Sequence, residues 1–360
     1  MMGQDVPRTL DDINNEWLST VLGATVTGYH QHFLEGGVLA DAYRIHGITY
    51  SGNAGSAPSS LVLKMANRVA ESRGNALAVS AYVKELNFFR ELAPQVPMRS
   101  PKVYGLFTDG SASCEFFCIV MEDLTAHSSV FDQVNDPPNE AFTRKIAAEA
   151  ATMHAKFWES PALKADWLSR PDGRYVTALD PLCKMSPQTT GPFRALWEQM
   201  FGQDIFGGSR FAEAEKLNAV LTGPKCAGVH DAIYDILSSR PQTLLHGDLR
   251  ADNVFRTKPS AGKSVADTTL TYIDWQVVHA GPPGPEFTEA WMHSLPPELR
   301  RKDREFLNEY HERLVTLEPR AAAYTYEMLM EDYALSFCFW WTAITTLGVG
   351  TVPMFVRMPA

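Results

Sequence analysis

Two carboxylates and one amide in the C-terminal half of the chain have the types and spacing that phosphoryl transfer needs. Asp248 and Asn253 are five residues apart in the segment LHGDLRADNV at 245–254. Asp274 comes 21 residues after Asn253, directly after the apolar, strand-like run at 270–273. A carboxylate such as Asp248 can orient an acceptor hydroxyl and take its proton. The Asn253 amide oxygen and the Asp274 carboxylate are hard oxygen ligands that suit Mg²⁺.

The same spacing of Asp and Asn occurs in the catalytic loop of protein kinases, H-R-D-x-x-x-x-N. Arg250 falls two residues after Asp248, where protein kinases usually carry a lysine, and its cation could steady the transferring phosphoryl group. Asp274 takes the place of the metal-binding Asp, although Trp275 and Gln276 replace the following Phe and Gly. The alternative is that HGD is a turn and IDW a buried strand end. The apolar runs around both motifs favour the catalytic interpretation.

The two motifs, HGDLRADNVF and YIDWQ, resemble those of the aminoglycoside phosphotransferase and choline-kinase superfamily, H-G-D-x-x-x-x-N and I-D-[FW]. The ecdysteroid-kinase-like branch is more similar, because its second motif tends to read D-[FW]-Q. The segment HAKFW at 154–158 is also similar to that branch's L-A-x-x-H-A-x-F-W. The resemblance covers roughly residues 30 to 350. It implies an α+β, bilobal protein-kinase-like fold, with a small antiparallel-sheet lobe and a larger, mostly helical lobe. It also implies transfer of the ATP γ-phosphate to a small-molecule hydroxyl.

The chain departs from the superfamily at one position. Relatives often carry Gly-Pro-x-x-x-Asp after the second motif, and that Asp caps a helix and braces the catalytic loop. This chain has Glu286 there. Glutamate is a poorer N-cap because its carboxylate lies one methylene further from the backbone. The bracing role is therefore in doubt, whereas the catalytic residues are unaffected.

A kinase also needs a cation on the α- and β-phosphates and a carboxylate that holds this cation. Lys64 ends an apolar strand pattern that fits Val-Ala-Ile-Lys. Glu85 lies in the helical stretch that follows, before an apolar-aromatic pair, as in the resembling family. Lys84 and Glu91 compete for the two roles, but neither shares the helix face of Glu85. We therefore predict a Lys64–Glu85 pair that binds ATP.

Two further segments are candidates for nucleotide contacts. Gly36 and Gly37 lie between the first two predicted strands, where a loop would cover the phosphates. Adjacent glycines let backbone N–H groups approach a phosphate, but they also simply make turns. Met121, Glu122 and Leu124 fall where the protein-kinase-like fold places the hinge that contacts adenine.

The hydrophobic pattern predicts the element order of a kinase small lobe. A helix over Leu10–Leu22, stopped by Gly23, precedes the strands. The next predicted elements are strands at 29–33, 42–50 and 61–65, a helix at 77–92, and strands at 102–107 and 116–121. We expect an N-terminal nucleotide-binding lobe at 1–121 and a C-terminal catalytic and substrate-binding lobe at 122–360. The clearest helix of the second lobe is predicted at 141–158.

Composition places the chain among globular proteins. It has 360 residues, 45% hydrophobic and 21% charged, and a formal net charge of −10, which argues against nucleic acid as a partner. The N-terminal residues lack a basic start followed by an apolar stretch, so no secretory signal is expected. The five cysteines match no zinc spacing, and Cys114 and Cys118 are expected to share one face of a strand. These features favour a reduced, cytoplasmic setting.

The stretch at 333–356 is uncharged over 24 residues, long enough to cross a bilayer. Its threonines, glycines and clustered aromatics favour a buried C-terminal helix that ends near Gly348 instead. We therefore predict no membrane span.

The resemblance and the motifs together predict an ATP- and Mg²⁺-dependent O-phosphotransferase whose acceptor is a largely apolar alcohol. An aminoglycoside or choline-type kinase is one alternative, and a non-catalytic nucleotide-binding scaffold is an alternative of another class. Residues 181–210 look like an insertion over the substrate site. Its aromatic residues could line an apolar pocket or belong to the core: Phe193, Trp197, Phe201 and Phe206, with Trp167 before them. The oligomeric state is left open.

Overall fold

The computed structural model describes the backbone at residues 6–34, 37–171, 191–196, 198–199, 216, 219–220, 223, 226–258 and 264–355. Side chains at 226–227 and 342–355 lie outside this description. The strands are β1 (Val26–Leu34), β2 (Ala40–Tyr50), β3 (Ser60–Ala66), β4 (Val103–Thr108), β5 (Phe117–Glu122), β6 (Ser128–Val130), β7 (Thr243–Leu245), β8 (Val254–Thr257), β9 (Leu270–Tyr272) and β10 (His279–Gly281). The helices are α1 (Asn15–Leu22), α2 (Ala70–Ala78), α3 (Ala81–Asn87), α4 (Glu140–Lys156), α5 (Cys226–Ser239), α6 (Gly284–Ser294), α7 (Pro297–Arg300), α8 (Asp303–Leu317) and α9 (Tyr326–Phe355).

The first five strands form one antiparallel sheet in the order β1-β2-β3-β5-β4. The order along the chain, three strands, helix and two strands, confirms the pattern predicted from the sequence. Register places Lys64 of β3 between Ala42 of β2 and Ile119 of β5. Since side chains alternate between the two faces of a strand, Lys64 shares its face with Val62. The opposite face carries Leu61 and Leu63, which are fully buried.

Helix α1 covers the buried face of this sheet. Its start is capped by Asn14, whose side chain accepts a hydrogen bond from the Trp17 N–H. It ends at Gly23, which adopts the left-handed conformation (φ 66°) that glycine tolerates best. Trp17 and Leu18 pack into the same core cluster as Leu61 and Leu63. Each such buried side chain stabilises the fold by about 1.5–3 kcal/mol.

The helix predicted at 77–92 is interrupted in the structure. Helix α2 ends before Ser80, which has a positive φ of 56°, and α3 starts at Ala81. A wider, π-type turn continues from α3 over Phe88–Leu92. A left-handed residue cannot continue a right-handed helix, so Ser80 separates the helix that carries Glu85 from the one before it.

The chain divides into two compact units. The first consists of residues 1–153, 246–278 and 293–299, and the second of residues 154–245, 279–292 and 300–360. The first unit holds the five-stranded sheet and a three-stranded sheet, β6-β8-β9. The second unit is mostly helical and holds the β7–β10 pair. The boundary at residue 121 stays a prediction.

Two details of the sequence interpretation were wrong. Cys114 does not share a strand with Cys118, because β5 begins at Phe117 and Cys114 lies in the turn before it, with a φ of 50°. Helix α9 does not end near Gly348 but runs to Phe355. A glycine inside a helix costs only about 1 kcal/mol, so Gly348 need not end this one. Among the described residues, no helix is long and apolar enough to cross a membrane.

Candidate active site

The loop between β7 and β8 carries Asp248 and Asn253, and His246 braces it. The His246 side chain is fully buried, its Nε2 lies 3.0 Å from the Ile273 carbonyl oxygen, and its ring lies 4.3 Å from that of Trp275. Gly247 has a φ of 82°, a conformation that L side chains rarely adopt. These contacts give His246 a structural role in this loop.

Asn253 ties the loop that carries Asp248 to the segment that carries Asp274. Its side-chain Nδ2 donates to the Asp248 carbonyl oxygen at 2.9 Å, and its own carbonyl accepts from the Ile273 N–H at 2.9 Å. Because the amide nitrogen faces the Asp248 backbone, the amide oxygen faces the other way. Asn253 is therefore fixed at both its backbone and its side chain.

Asp274 lies two residues after the end of β9 in a left-handed conformation, with a φ of 68° and a ψ of 57°. Non-glycine residues in this region cost roughly 1 kcal/mol or more and cluster at functional sites. Its Oδ1 lies 2.6 Å from the Lys64 ammonium, and its Oδ2 accepts from Gln276 Nε2 at 3.1 Å. Trp275, fully buried and stacked on Phe88 at 4.0 Å, anchors the turn.

Lys64 also contacts Glu85, at 2.8 Å, so one ammonium holds two carboxylates. The structure thus brings together the Lys and Glu that the sequence paired, from β3 and α3. Of the two competitors, Glu91 is exposed, and Lys84 is a buried residue of α3. Burial lowers the pKa of Lys84 to about 8.

The charges and the burial of this cluster shift the pKa values of Lys64 and Glu85. Burial alone would lower the pKa of Lys64, but the charges of Asp274 and Glu85 overcome it and raise that pKa. Burial raises the pKa of Glu85 to about 7, the Lys64 charge opposes this, and the Asp274 charge adds to it. Two carboxylates thus share one cation in a poorly solvated place.

The raised pKa of Glu85 predicts a pH dependence of stability. The folded protein binds the Glu85 proton more tightly than the unfolded chain, whose usual pKa is 4.5. The resulting stabilisation is fully present below pH 4.5 and is lost as the pH rises through about 7. Relative to Glu85→Gln, which does not titrate, the wild type should lose up to roughly 3 kcal/mol of unfolding free energy across this window.

Urea unfolding of both proteins at several pH values between 4.5 and 8 would measure this difference. Glu91→Gln is the matched control, since Glu91 is exposed nearby in the chain, and it should show no such trend. A wild-type advantage over Glu85→Gln that grows with pH would contradict the assignment.

Arg250 lies beside the proposed base. Its Nε is 3.2 Å from Asp248 Oδ1, and the Asp248 side chain is 15% exposed. The Asp248 carboxylate is therefore accessible to solvent and has the Arg250 cation beside it. This arrangement agrees with the predicted positions of a base and a phosphoryl-steadying arginine, while their roles stay predictions.

The loop between β1 and β2, residues 35–39, is called the glycine loop below. Gly36 lies outside the described residues. Gly37 is described, and a Cβ built on it would lie 2.1 Å from the Ala40 carbonyl oxygen. Position 37 therefore accepts no side chain unless the backbone shifts, which explains the glycine without assigning it a phosphate.

The hinge candidates lie at the end of β5. Met121 is buried in that strand, and Leu124 is buried just after it. The Glu122 carboxylate accepts two hydrogen bonds from Arg99, at 2.8 and 2.9 Å. The backbone N–H of Glu122 donates to the Lys102 carbonyl oxygen. The observed contacts of Glu122 are thus within the protein, and contact of these residues with adenine stays a prediction.

Sequence reasoning did not single out the strand positions that share the Lys64 face. Ala42 is its partner on β2, and Val62 precedes it by two residues and pairs with Met121. Ala42 and Val62 are only half-buried. Small, partly open apolar residues beside a lysine form a surface on which a flat heteroaromatic ring can lie. The alternation of side chains along the strand of Lys64 was the sequence signal that could have identified these positions.

The residues present fit a magnesium–nucleotide complex. Asn253 and Asp274 would hold the metal, since amide and carboxylate oxygens are its preferred protein ligands and Mg²⁺ usually takes only one or two of them. Lys64 would meet the phosphates. When bound, the metal and nucleotide would supply a transferable phosphoryl group and positive charge against its oxygens.

The expected substrate side is only partly described. Phe193 is buried and Trp167 half-buried, whereas Trp197, Phe201 and Phe206 lie outside the described residues. Most of the insertion at 181–210 is likewise outside them, so the aromatic pocket stays a prediction.

Glu286, which replaces the family's Asp, has contacts within the second unit. Its carboxylate lies 3.7 Å from His154 Nε2, and both side chains are fully buried. His154 Nδ1 lies 2.7 Å from the Tyr310 hydroxyl. The longer side chain of Glu286 therefore takes part in a buried His–Tyr cluster, which agrees with a core role for His154.

Comparison with known proteins gives one family match. The DUF1679 family model, described as "Uncharacterized oxidoreductase dhs-27", matches residues 212–352, less than half of the chain. That description names another protein, while the family itself is ecdysteroid-kinase-like. Comparison with curated proteins gives no match.

Several solved structures are distantly similar. Macrolide 2'-phosphotransferase MphH from Brachybacterium faecium is 14% identical with a TM-score of 0.47, covering 97% of this chain and 94% of that one. Choline kinase from Cryptosporidium parvum is 11% identical with a TM-score of 0.47, covering 96% and 90%. Choline kinase LicA from Streptococcus pneumoniae is 14% identical with a TM-score of 0.46, covering 95% and 99%.

The assignment of the fold comes from the chain's own elements. A five-stranded antiparallel sheet with a Lys–Glu pair is followed by the loop that carries Asp248 and Asn253 and by an Asp-bearing turn. The order of these elements and the α+β architecture that carries them are those of a protein-kinase-like fold, and the motifs resemble those of the aminoglycoside phosphotransferase and choline-kinase superfamily.

Proposed function

We propose that this chain is a Mg²⁺- and ATP-dependent O-phosphotransferase that acts on a hydroxyl of a small molecule. One observation carries the proposal: Lys64 contacts Glu85 and Asp274 at once, and the Asp274 segment is hydrogen-bonded to Asn253. These residues come from four separate stretches of sequence, and each has the side chain that its place in a phosphoryl-transfer site requires.

Each residue has a distinct task in this proposal. Asp248 orients the acceptor hydroxyl and takes its proton as the oxygen attacks the γ-phosphorus. Arg250, next to it, offsets negative charge on the transferring group. Lys64 turns from the carboxylates toward the phosphates, and Glu85 limits how far it can move. The bond from the γ-phosphorus to the bridging oxygen breaks, and ADP leaves.

The acceptor in this proposal is a largely apolar alcohol. The Asp-Trp-Gln motif and the HAKFW segment support it through the resemblance to the ecdysteroid-kinase-like branch. Between Pro181 and Phe211 the sequence has only two carboxylates, Glu198 and Asp204. A ligand with several ammonium groups would normally be met by more acidic residues than that.

A parallel assay of acceptors tests the proposal. ATP consumption should be measured with sterol-like alcohols, choline and kanamycin-like aminoglycosides, each with and without Mg²⁺. We expect turnover with an apolar alcohol and little with the two cationic classes. Efficient turnover of an aminoglycoside, with none of the alcohols, would restore the antibiotic-kinase alternative. Tight ATP binding without transfer to any acceptor would favour the scaffold alternative.

A further inference from the structure

Side chains from outside the glycine loop hold the backbone of its residues 38 and 39 by hydrogen bonds. Gly37 has no side chain, and the Val38 side chain is 75% exposed. The Val38 carbonyl oxygen accepts from Asn67 Nδ2 at 3.2 Å, and the Leu39 carbonyl oxygen accepts from the Tyr82 hydroxyl at 2.6 Å. Two side chains from outside the loop therefore fix consecutive carbonyl groups of it.

Asn67 uses all of its polar groups in this arrangement. Besides Val38, it contacts Tyr82, whose hydroxyl accepts from the Asn67 N–H at 3.0 Å. Its Oδ1 accepts from the Val69 N–H at 2.8 Å, and its carbonyl accepts from the Arg73 guanidinium at 2.9 Å. Asn67 is buried and directly follows β3, the strand of Lys64. It thus joins the end of this strand to the loop and to helix α2.

Tyr82 connects the same loop to helix α3. Its side chain is buried, and its ring lies 4.3 Å from that of Phe117. Tyr82 precedes Glu85 by three residues on this helix, so the two side chains lie on neighbouring positions of one helical surface. Any displacement of α3 would disturb both the Tyr82–Leu39 contact and the Glu85–Lys64 contact.

We propose that Tyr82, together with Asn67, is a positioning residue that holds residues 37–39 ready for the nucleotide phosphates and couples this loop to the Lys64–Glu85 pair. The inference rests on the proposed function, because it assumes that phosphates bind beneath the loop. A loop that is ordered in advance spares the ligand the entropy cost of ordering it. Without the Tyr82 hydroxyl, a smaller fraction of molecules would have the loop in place. The apparent affinity for Mg·ATP would then fall in proportion to that fraction.

Tyr82→Phe tests this inference, since it removes only the hydroxyl and keeps the ring against Phe117. Tyr29→Phe is the matched control, because the Tyr29 hydroxyl also donates to a backbone carbonyl, that of Ile13, at 2.6 Å. Binding of Mg·ATP and of adenosine should be measured by calorimetry for both variants and the wild type. Hydrogen exchange of the amides at 38–41 should be followed without ligand.

We expect Tyr82→Phe to bind Mg·ATP about tenfold more weakly, which corresponds to ~1.4 kcal/mol, and adenosine as the wild type does. Its amides at 38–41 should exchange faster, and Tyr29→Phe should change neither quantity.

Wild-type affinity of Tyr82→Phe for Mg·ATP, or an equal loss for ATP and adenosine, would overturn the inference while leaving the proposed function intact. If the wild type bound no ATP at all, the proposed function would fail and the inference with it.

Discussion

Replacing Asp248 with asparagine should lower the rate of phosphoryl transfer by ~10²–10⁴ and leave Mg·ATP affinity within about twofold of the wild type. The side chain sits beside Arg250 at the solvent-reachable end of the loop, and no contact joins it to Lys64 or Glu85 among the described residues. Asparagine has the same shape but cannot take a proton. The loss should therefore appear in kcat and not in nucleotide binding.

Asp252→Asn is the matched control for this experiment. Asp252 lies on the same loop, and its carboxylate accepts hydrogen bonds from the Gln133 backbone and side chain. Its change should alter the rate little. Wild-type turnover by Asp248→Asn would show that Asp248 is not the base. An equal loss in both variants would point to damage of the loop rather than loss of a proton acceptor.

Removing the Asp274 carboxylate should have the second largest effect. Asp274→Ala should abolish the dependence of ATP binding on Mg²⁺, because the only anionic ligand proposed for the metal is gone. Asn253→Ala should weaken the dependence less, since an amide carries no charge to offset the ion. Titration of ATP into each variant at several Mg²⁺ concentrations measures both effects.

Asp267→Ala provides the control for these titrations, because Asp267 is an exposed carboxylate shortly before β9. It should bind Mg·ATP as the wild type does. A full Mg²⁺ dependence in Asp274→Ala would contradict the metal assignment. In this variant Lys64 would keep Glu85 as its partner, so the fold around the pair should persist.

The sequence predicted the elements whose signal is local. Alternating apolar residues predicted the strands β1–β5. Lys64 was identified because it directly follows the apolar run at 61–63. The spacing of Asp248 and Asn253 is likewise contained in one loop. Glu85 was identified because its helix face was distinguishable from those of Lys84 and Glu91.

The features that the sequence did not reveal depend on contacts between distant segments or on backbone angles. Tyr82 and Leu39 are 43 residues apart, and Asn67 and Val38 are 29 apart, so no periodicity connects them. The positive φ of Ser80 carries no residue signature, since serine rarely takes it. Gln276 was visible in the motif, but its hydrogen bond to Asp274 became apparent only from the structure.

We propose that Lys64, Glu85, Asn253 and Asp274 form a metal-dependent nucleotide site. The direct test is to titrate ATP into the wild type twice, once in the presence of Mg²⁺ and once with a chelator in its place. We expect binding with Mg²⁺ and a loss of at least about tenfold in affinity without it, as the charge on the phosphates would then face Asp274 uncompensated. ATP binding of equal affinity in both conditions, or no binding in either, would contradict the account.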